Sequence, residues 1–178
     1  MPARYIGARL ADFGEAELVN PNSDGLYVTG AVGTGKTHLA TAWLRQLLPE
    51  HLDLDQYDHV MGLAAKWESV PELLGRLRET FGGRGESETG VLCDYMLPSL
   101  LVLDDLGAEQ STDWTGQAIY RLVSKRLNDL RQTIVTSNLS LEELNVRDPR
   151  LASRLGGMAY QRLEGGDRRL AVQEAAHA

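Results

Sequence analysis

A glycine-rich octapeptide carries the clearest chemistry in this chain. Residues 30–37, with the sequence GAVGTGKT, fit the pattern G-x-x-x-x-G-K-[ST] without a mismatch. Glycines let backbone N–H groups approach a phosphate, the lysine reaches the β- and γ-phosphates, and the hydroxyl that follows it binds Mg²⁺. We expect Lys36 to be exposed in the absence of ligand. The pattern predicts a nucleotide site made of Gly30, Ala31, Val32, Gly33, Thr34, Gly35, Lys36, Thr37 and His38, with Thr37 as a ligand of Mg²⁺.

The residues on either side of this loop give it the expected context. Residues 26–29 (LYVT) have the pattern of a short buried strand, and apolar residues recur at helical spacing from 37 to 48. A helix that begins here adds unpaired N–H groups and a partial positive charge at the phosphates. The alternative is a glycine-rich turn that only connects a strand to a helix, and the context favours phosphate binding.

Two aspartates follow a second buried strand. Residues 100–103 (LLVL) form an unbroken apolar run, typical of a strand buried on both faces of a parallel sheet, and Asp104 and Asp105 come next. Because ligands bind at the carboxyl ends of such strands, Asp104 is expected to hold Mg²⁺, usually through water, opposite Thr37. Asp105 should point the other way and orient or deprotonate the attacking water. The alternative for both is a solvated strand end.

An amide and two arginines complete the candidate site. Asn138 lies just past a strand predicted at 133–136, so its side chain would sit near the γ-phosphate if that strand lies beside the phosphate-loop strand. Its alternative role is to begin a turn or cap the helix near Ser140. Arg150 and Arg154 lie four apart on one helical face, where an arginine can enter a neighbouring subunit's site or form a solvated pair.

Strands and helices alternate through the rest of the chain. The pattern predicts a strand at 64–67, helices at 71–81, 113–130 and around 141–144, and a mobile loop at the glycine-rich residues 82–90. Strands that alternate with helices indicate a parallel α/β sheet flanked by helices.

Composition limits the class of protein. With 178 residues, the chain suits one domain. The single cysteine, Cys93, excludes an internal disulfide framework, and the chain shows neither a signal-peptide pattern nor an apolar run long enough to cross a membrane. We expect a cytoplasmic protein. A net charge of −7 disfavours a globally basic nucleic-acid surface and leaves local contacts, for which Lys125, Arg126 and the loop around Arg84 are weak candidates.

Taken in order, these motifs resemble the AAA+ ATPases of the DnaC/DnaI helicase-loader family. The resemblance covers nearly the whole chain and includes LADF at 10–13, GTGKTHLA at 33–40, LVLDDLGAE at 101–109, TSNL at 136–139 and RLASRL at 150–155. IstB-type transposition helpers share the same core. The resemblance implies a P-loop NTPase fold of the AAA+ (ASCE) type without a separate lid domain: a lead-in at 1–24, a nucleotide-binding core at 25–163 and a tail at 164–178. Helicase loaders of this family usually carry an N-terminal region that grips the helicase, whereas here the core is expected to begin almost at Met1. Three explanations stay open: a partner supplies the helicase contact, the true start lies upstream, or the protein has a different client.

The resemblance also implies roles for the site residues. Residues 30–37 would be Walker A, Asp104 and Asp105 Walker B, and Asn138 sensor 1. Arg154 would be an arginine finger acting in trans, with Arg150 the less favoured substitute. Many AAA+ proteins have glutamate where this chain has Asp105, which predicts slow hydrolysis unless Glu109 compensates.

The function that this resemblance implies is ATP-dependent. We expect ATP and Mg²⁺ as cofactors, and a homo-oligomer that assembles with ATP. The partners would be a replicative helicase or another DNA-transaction protein, with single-stranded DNA bound according to nucleotide state. Two alternatives remain open: a transposition helper that binds duplex DNA, and an adaptor that binds ATP but hardly hydrolyses it.

Overall fold

Five parallel strands form one sheet in the order β2-β3-β4-β1-β5. The structure is a computed structural model that describes residues 5, 7–14, 17–48, 65–82, 85–108 and 112–167. The strands are β1 (Gly25–Gly30), β2 (Ala65–Ser69), β3 (Leu100–Leu106), β4 (Gln132–Ser137) and β5 (Ala159–Leu163). The predicted P-loop α/β fold is therefore confirmed. β5, which pairs with β1 at the sheet edge, was not predicted from the sequence.

Helices connect the strands, and short polar side chains start several of them. The helices are α1 (Lys36–Leu47), α2 (Val70–Glu79), α3 (Glu88–Met96), α4 (Asp113–Asn128), α5 (Leu141–Arg147) and α6 (Pro149–Leu155). Two 3₁₀ turns, Leu10–Phe13 and Thr80–Gly82, complete the described elements. Ser69, Ser87, Thr112, Ser140 and Asp148 cap α2 to α6 by accepting backbone N–H groups.

The prediction of a loop over residues 82–90 was wrong at its end. Ser87 accepts a hydrogen bond from the Gly90 N–H at 3.1 Å and starts α3 at Glu88. The apolar residues of this helix, which include Val91, Leu92 and Tyr95, are buried against the sheet. Their burial and the serine cap stabilise the first turn despite its glycine and polar residues.

The two faces of the sheet pack against different helices. On one face, Leu26 and Val28 of β1 pack with α1, whose buried residues include Leu39 and Leu44. On the other face, Tyr27 lies in a larger core that is built mainly by α2, α3, α4 and α6. Because strand side chains alternate in direction, neighbouring residues of β1 serve the two cores. The helix that follows the phosphate loop is thus on the opposite face from α6.

A buried arginine joins α3, α4 and β4. Arg126 of α4 is fully buried and donates to the carbonyl oxygens of Tyr95 and Pro98 at 2.8 Å each. It also donates to the Gln132 carbonyl at 2.6 Å and the Thr133 hydroxyl at 2.9 Å. The suggestion that Arg126 contacts DNA was therefore wrong, because its guanidinium is used entirely within the core. Lys125 is exposed and pairs with Asp129 at 2.7 Å.

The strand order decides which residues meet at the carboxyl edge. β4 lies between β3 and β1, and its last residue, Ser137, is opposite both Thr29 of β1 and Leu106 of β3. The carboxyl ends of these three adjacent strands therefore lie together. They carry the phosphate loop after β1, the two aspartates near the end of β3 and Asn138 after β4. None of the helices in the described part of the chain combines the length and apolar character that a bilayer crossing needs.

Candidate nucleotide site

The glycine-rich loop joins β1 to α1, as its sequence predicts. Lys36, the first residue of α1, is only 6% exposed. Its Nζ donates to the carbonyl oxygens of Gly30 at 2.9 Å and Ala31 at 2.8 Å. The expectation of an exposed lysine was wrong, because the loop wraps around the ammonium group and satisfies it with its own carbonyls. The positive charge is thus held inside the loop that would surround a phosphate.

Thr37 and Asp104 lie in direct contact although 67 residues separate them. The Thr37 hydroxyl lies 3.0 Å from each carboxylate oxygen of Asp104. The structure therefore brings together the two residues that the sequence predicted as metal ligands.

Asp104 is a buried carboxylate that hydroxyl groups hold in place. It is 3% exposed, and the Thr136 hydroxyl donates to its Oδ1 at 2.5 Å. Burial raises the pKa of Asp104 above its usual value, and the neighbouring Asp105 raises it further, whereas the hydrogen bonds from Thr136 and Thr37 and the charge of Lys36 lower it. Sequence reasoning missed Thr136, although its place just before Ser137 and Asn138 at the predicted strand end could have pointed to it.

Asp105 differs from Asp104 in its exposure to solvent. Its side chain is exposed, whereas its neighbours Asp104 and Leu106 are buried. The backbone has φ 59° at Asp105, and the pairing of β3 with β4 shifts register between Leu103 and Leu106. Thr136 accepts the Asp105 N–H at 3.0 Å. Backbone in this region is uncommon outside glycine and concentrates at functional sites, so this local shape, which only the structure reveals, sets the direction of the carboxylate.

Asn138 follows β4 at the same edge and is exposed. Asn138 was expected near the γ-phosphate only if the strand before it lies beside the phosphate-loop strand. β4 does pair with β1. The next residue, Leu139, is fixed because its carbonyl accepts hydrogen bonds from Tyr27 at 2.9 Å and Thr29 at 2.8 Å. The cap of α5 is Ser140 itself, which accepts the Glu143 N–H. Asn138 is thus left outside the capping interaction of α5.

His38 directs its ring towards the N-terminal segment. Its Nε2 lies 2.6 Å from Asp12 Oδ2, and Phe13 and Tyr5 contact the ring edge-on. The ring therefore links α1 to the 3₁₀ turn Leu10–Phe13. Its predicted role in nucleotide binding stays a prediction.

The two arginines of α6 lie on one face, as predicted, and both reach Tyr120 of α4. The guanidinium of Arg150 lies 5.3 Å from the centre of the Tyr120 ring. A hydrogen bond from Arg154 is the main cause that lowers the pKa of Tyr120. Arg154 is exposed at the surface of α6, on the sheet face opposite α1. Glu109 and Arg84 lie outside the described residues.

The geometry fits Mg²⁺ and a nucleotide phosphate. Mg²⁺ prefers oxygen ligands and usually keeps several waters, and the 3.0 Å hydrogen bond between Thr37 and Asp104 places both groups beside the phosphate loop, so Thr37 would bind the ion directly and Asp104 through water. Within the described residues, no group of three or more His, Cys, Asp or Glu side chains gathers to hold a metal. Thr37 and Asp104 therefore suit a cation whose other ligands are phosphate and water, as in P-loop proteins.

Comparison with known proteins agrees with this geometry. Among curated proteins, the replicative helicase loader DnaC of Escherichia coli (strain K12) is 28% identical over 116 residues, which cover 65% of this chain and 43% of DnaC. DnaC of Buchnera aphidicola subsp. Acyrthosiphon pisum is 28% identical over 125 residues, or 70% of this chain and 46% of that protein. The chain thus spans less than half the length of these curated relatives.

Solved structures extend the likeness. A crystal structure of the DnaC helicase loader matches with a TM-score of 0.69 and 27% identity, over 92% of this chain and 100% of that one. The crystal structure of DnaI matches with a TM-score of 0.69 over 92% of this chain and 95% of that chain, and its 22% identity shows a shared fold alone. The model of the family described as IstB-like ATP binding protein matches residues 9–156. This chain therefore belongs to the IstB-like ATP-binding protein family and has its AAA+ P-loop fold.

Proposed function

We propose that this protein binds and hydrolyses ATP with Mg²⁺ and acts in DNA replication as a helicase-loader-like ATPase. Its nucleotide state would control binding to single-stranded DNA or to a replicative helicase. The contact between Thr37 and Asp104 carries the proposal, because it joins the hydroxyl of the phosphate loop directly to the carboxylate of the acidic strand. The curated relatives named as replicative helicase loaders support the process.

The chemistry divides among residues at the carboxyl edge of the sheet. Lys36 and the loop N–H groups would bind the β- and γ-phosphates, and Thr37 and Asp104 would hold Mg²⁺, which neutralises charge that develops on the phosphates. Asp105 is the exposed neighbour of the buried Asp104 and would accept a proton from the attacking water. The Asn138 amide would orient that water.

An arginine from a second subunit would complete the site. Arg154 is exposed on α6, whereas the loop and α1 pack on the other face of the sheet. These positions support a contribution in trans within an ATP-dependent homo-oligomer. Such an arginine stabilises charge in the transition state of phosphoryl transfer.

The DNA contact would use an aromatic surface formed by α2, the 3₁₀ turn that follows it and α4. Phe81 is 62% exposed and meets Trp114 edge-on, with ring centres 5.0 Å apart. The guanidinium of Arg78 lies 5.5 Å from the centre of the Trp114 ring. An exposed ring can stack on an unpaired base, and a cation next to it can pair with a phosphate. This aromatic surface, made of Arg78, Phe81 and Trp114, replaces Arg126 as the candidate DNA contact.

The test is DNA-stimulated ATP hydrolysis at low salt. Wild type should be stimulated by a single-stranded oligonucleotide more than by the matching duplex. Phe81→Ala should weaken single-strand binding about tenfold, because stacking contributes about 1–3 kcal/mol per base. Leu97→Ala, a change at another exposed apolar residue, serves as the matched control. Lys36→Ala should abolish nucleotide binding and defines the background rate.

The outcomes separate the candidate functions. Stronger stimulation by duplex DNA would favour the transposition-helper function. ATP binding without turnover, in the presence of either DNA, would favour a nucleotide-dependent adaptor. Equal DNA binding by wild type and Phe81→Ala would remove the aromatic surface from the proposal.

A further inference from the structure

The chain that follows β5 returns to the phosphate loop. β5 runs parallel to β1, and its last residue, Leu163, is opposite Gly30, where the loop begins. Gly165 then has φ 116°, a conformation in which the chain can turn sharply. Of the residues that the sequence assigned to a tail, the described ones, 164–167, therefore lie near the loop.

The carboxylate of Asp167 lies against Gly33 of the loop. If Gly33 carried a Cβ atom, its three nearest heavy atoms would be the Cγ and both carboxylate oxygens of Asp167, with Oδ2 at 2.6 Å and the other two closer. Gly33 has φ 84°, so the loop at this point has a shape that a larger residue rarely adopts. The Asp167 side chain is partly buried there. A negative group of the chain itself thus occupies the space beside Gly33.

Both a carboxylate and a phosphate are anions that accept N–H hydrogen bonds, and a glycine-rich loop before a helix N-terminus favours either. Lys36 adds a fixed positive charge within the same loop. An ATP phosphate and the Asp167 carboxylate would then compete for one positively polarised surface. We propose that Asp167 is an internal competitor for the phosphate, so that its carboxylate must withdraw from Gly33 before ATP binds. This inference rests on the proposed nucleotide function.

This competition would lower the measured affinity for ATP. When only a fraction of molecules has the site free, the apparent dissociation constant rises by the inverse of that fraction. If Asp167 covers the loop in about nine molecules of ten, removing its charge strengthens ATP binding about tenfold. Most substitutions near a binding site weaken ligand binding. A variant of Asp167 that binds ATP more tightly would therefore distinguish competition from a structural role.

The experiment compares Asp167→Asn with Glu164→Gln in the full chain. Asparagine has the shape of aspartate without its charge, so the fold should be retained, which circular dichroism and the melting temperature would verify. Glu164 is an exposed carboxylate three residues earlier, with Arg162 at 3.7 Å, and Glu164→Gln changes the net charge equally. Dissociation constants of Mg-ATP and Mg-ADP would be measured by titration at fixed ionic strength.

Asp167→Asn should bind Mg-ATP about tenfold more tightly than wild type, Glu164→Gln should stay within about twofold, and Asp167→Glu should show no gain. Unchanged or weaker binding by Asp167→Asn, with wild type binding normally, would overturn this inference and leave the proposed function intact. An equal gain in both neutralised variants would also overturn it, because the effect would then be one of net charge. Absence of nucleotide binding in wild type and Asp167→Asn alike would overturn the proposed function together with this inference.

Discussion

Thr136→Val is the substitution that best tests how the acidic site is held. Threonine and valine have nearly the same shape, so the change removes one hydroxyl from a fully buried position. That hydroxyl donates to Asp104 at 2.5 Å and accepts the Asp105 N–H at 3.0 Å. It therefore connects the side chain of Asp104, the proposed metal ligand, to the backbone of Asp105, the candidate base.

The expected loss of stability follows from these two hydrogen bonds. A bond to a charged partner contributes about 1.5–3 kcal/mol, and a buried donor left unpaired costs about 1–3 kcal/mol. Because such contributions overlap, we expect the free energy of unfolding to fall by about 2–4 kcal/mol. In a chain of this size, that corresponds to a melting temperature lower by roughly 5–15 °C.

The same substitution should change the pH dependence of metal binding. Burial raises the pKa of Asp104, and the hydrogen bond from Thr136 opposes that rise. Without the bond the pKa rises further, so Asp104 becomes protonated at a higher pH. Mg²⁺ requires the ionised carboxylate. Mg-dependent ATP binding is then present above the pKa of Asp104 and lost as the pH falls through it, and Thr136→Val should lose binding at a higher pH than wild type.

Urea unfolding without nucleotide and Mg-ATP titrations across pH would measure these effects. Thr41→Val is the matched control, because Thr41 is equally buried but its hydroxyl donates to a helix carbonyl, that of Thr37, at 2.8 Å. Thr41→Val should lower the free energy of unfolding by about 1 kcal/mol and leave the pH dependence of Mg-ATP binding unchanged. If Thr136→Val were as stable as Thr41→Val and its pH profile matched wild type, the argument for Thr136 would be refuted.

Three further predictions concern residues with different roles. Asp105→Asn should leave ATP affinity unchanged and lower turnover about a hundredfold in steady-state assays. If Asp105→Asn turned over normally while Glu109→Gln lost turnover, the base would be Glu109. Arg154→Ala should bind ATP but lose most turnover, and mixing it with Lys36→Ala should partly restore activity. A mixture that stays inactive, under conditions where wild type oligomerises, would exclude a finger in trans. Arg126→Lys should destabilise the fold by about 3–5 kcal/mol in chemical unfolding, because lysine cannot form the same fork of hydrogen bonds in the core. A melting temperature equal to wild type would contradict that role.

Local sequence patterns were sufficient to predict the elements with a clear motif or hydrophobic periodicity. The loop at 30–37, the strand before Asp104 and the helix at Asp113–Asn128 follow from glycine spacing, an apolar run and helical periodicity. Boundaries were less exact: the acidic strand includes both aspartates and ends at Leu106. Helix α3 was missed because its first turn has a glycine and polar residues, and its stability comes from burial against the sheet.

The sequence by itself determined the chemistry: a lysine and a hydroxyl in a glycine loop, two aspartates after a buried strand, and an amide after another. Residue type and near-neighbour spacing are local properties, and these motifs depend on little else. The tertiary structure decided how they combine. Strand order placed β4 between β1 and β3, which set Thr136 against Asp104, and burial turned Arg126 into a core residue. The return of the chain after β5 brought Asp167 onto Gly33. Some of these contacts join residues dozens of positions apart, and others depend on whether a side chain lies inside the core. No local pattern encodes them, because they arise only when the sheet and the helices pack together.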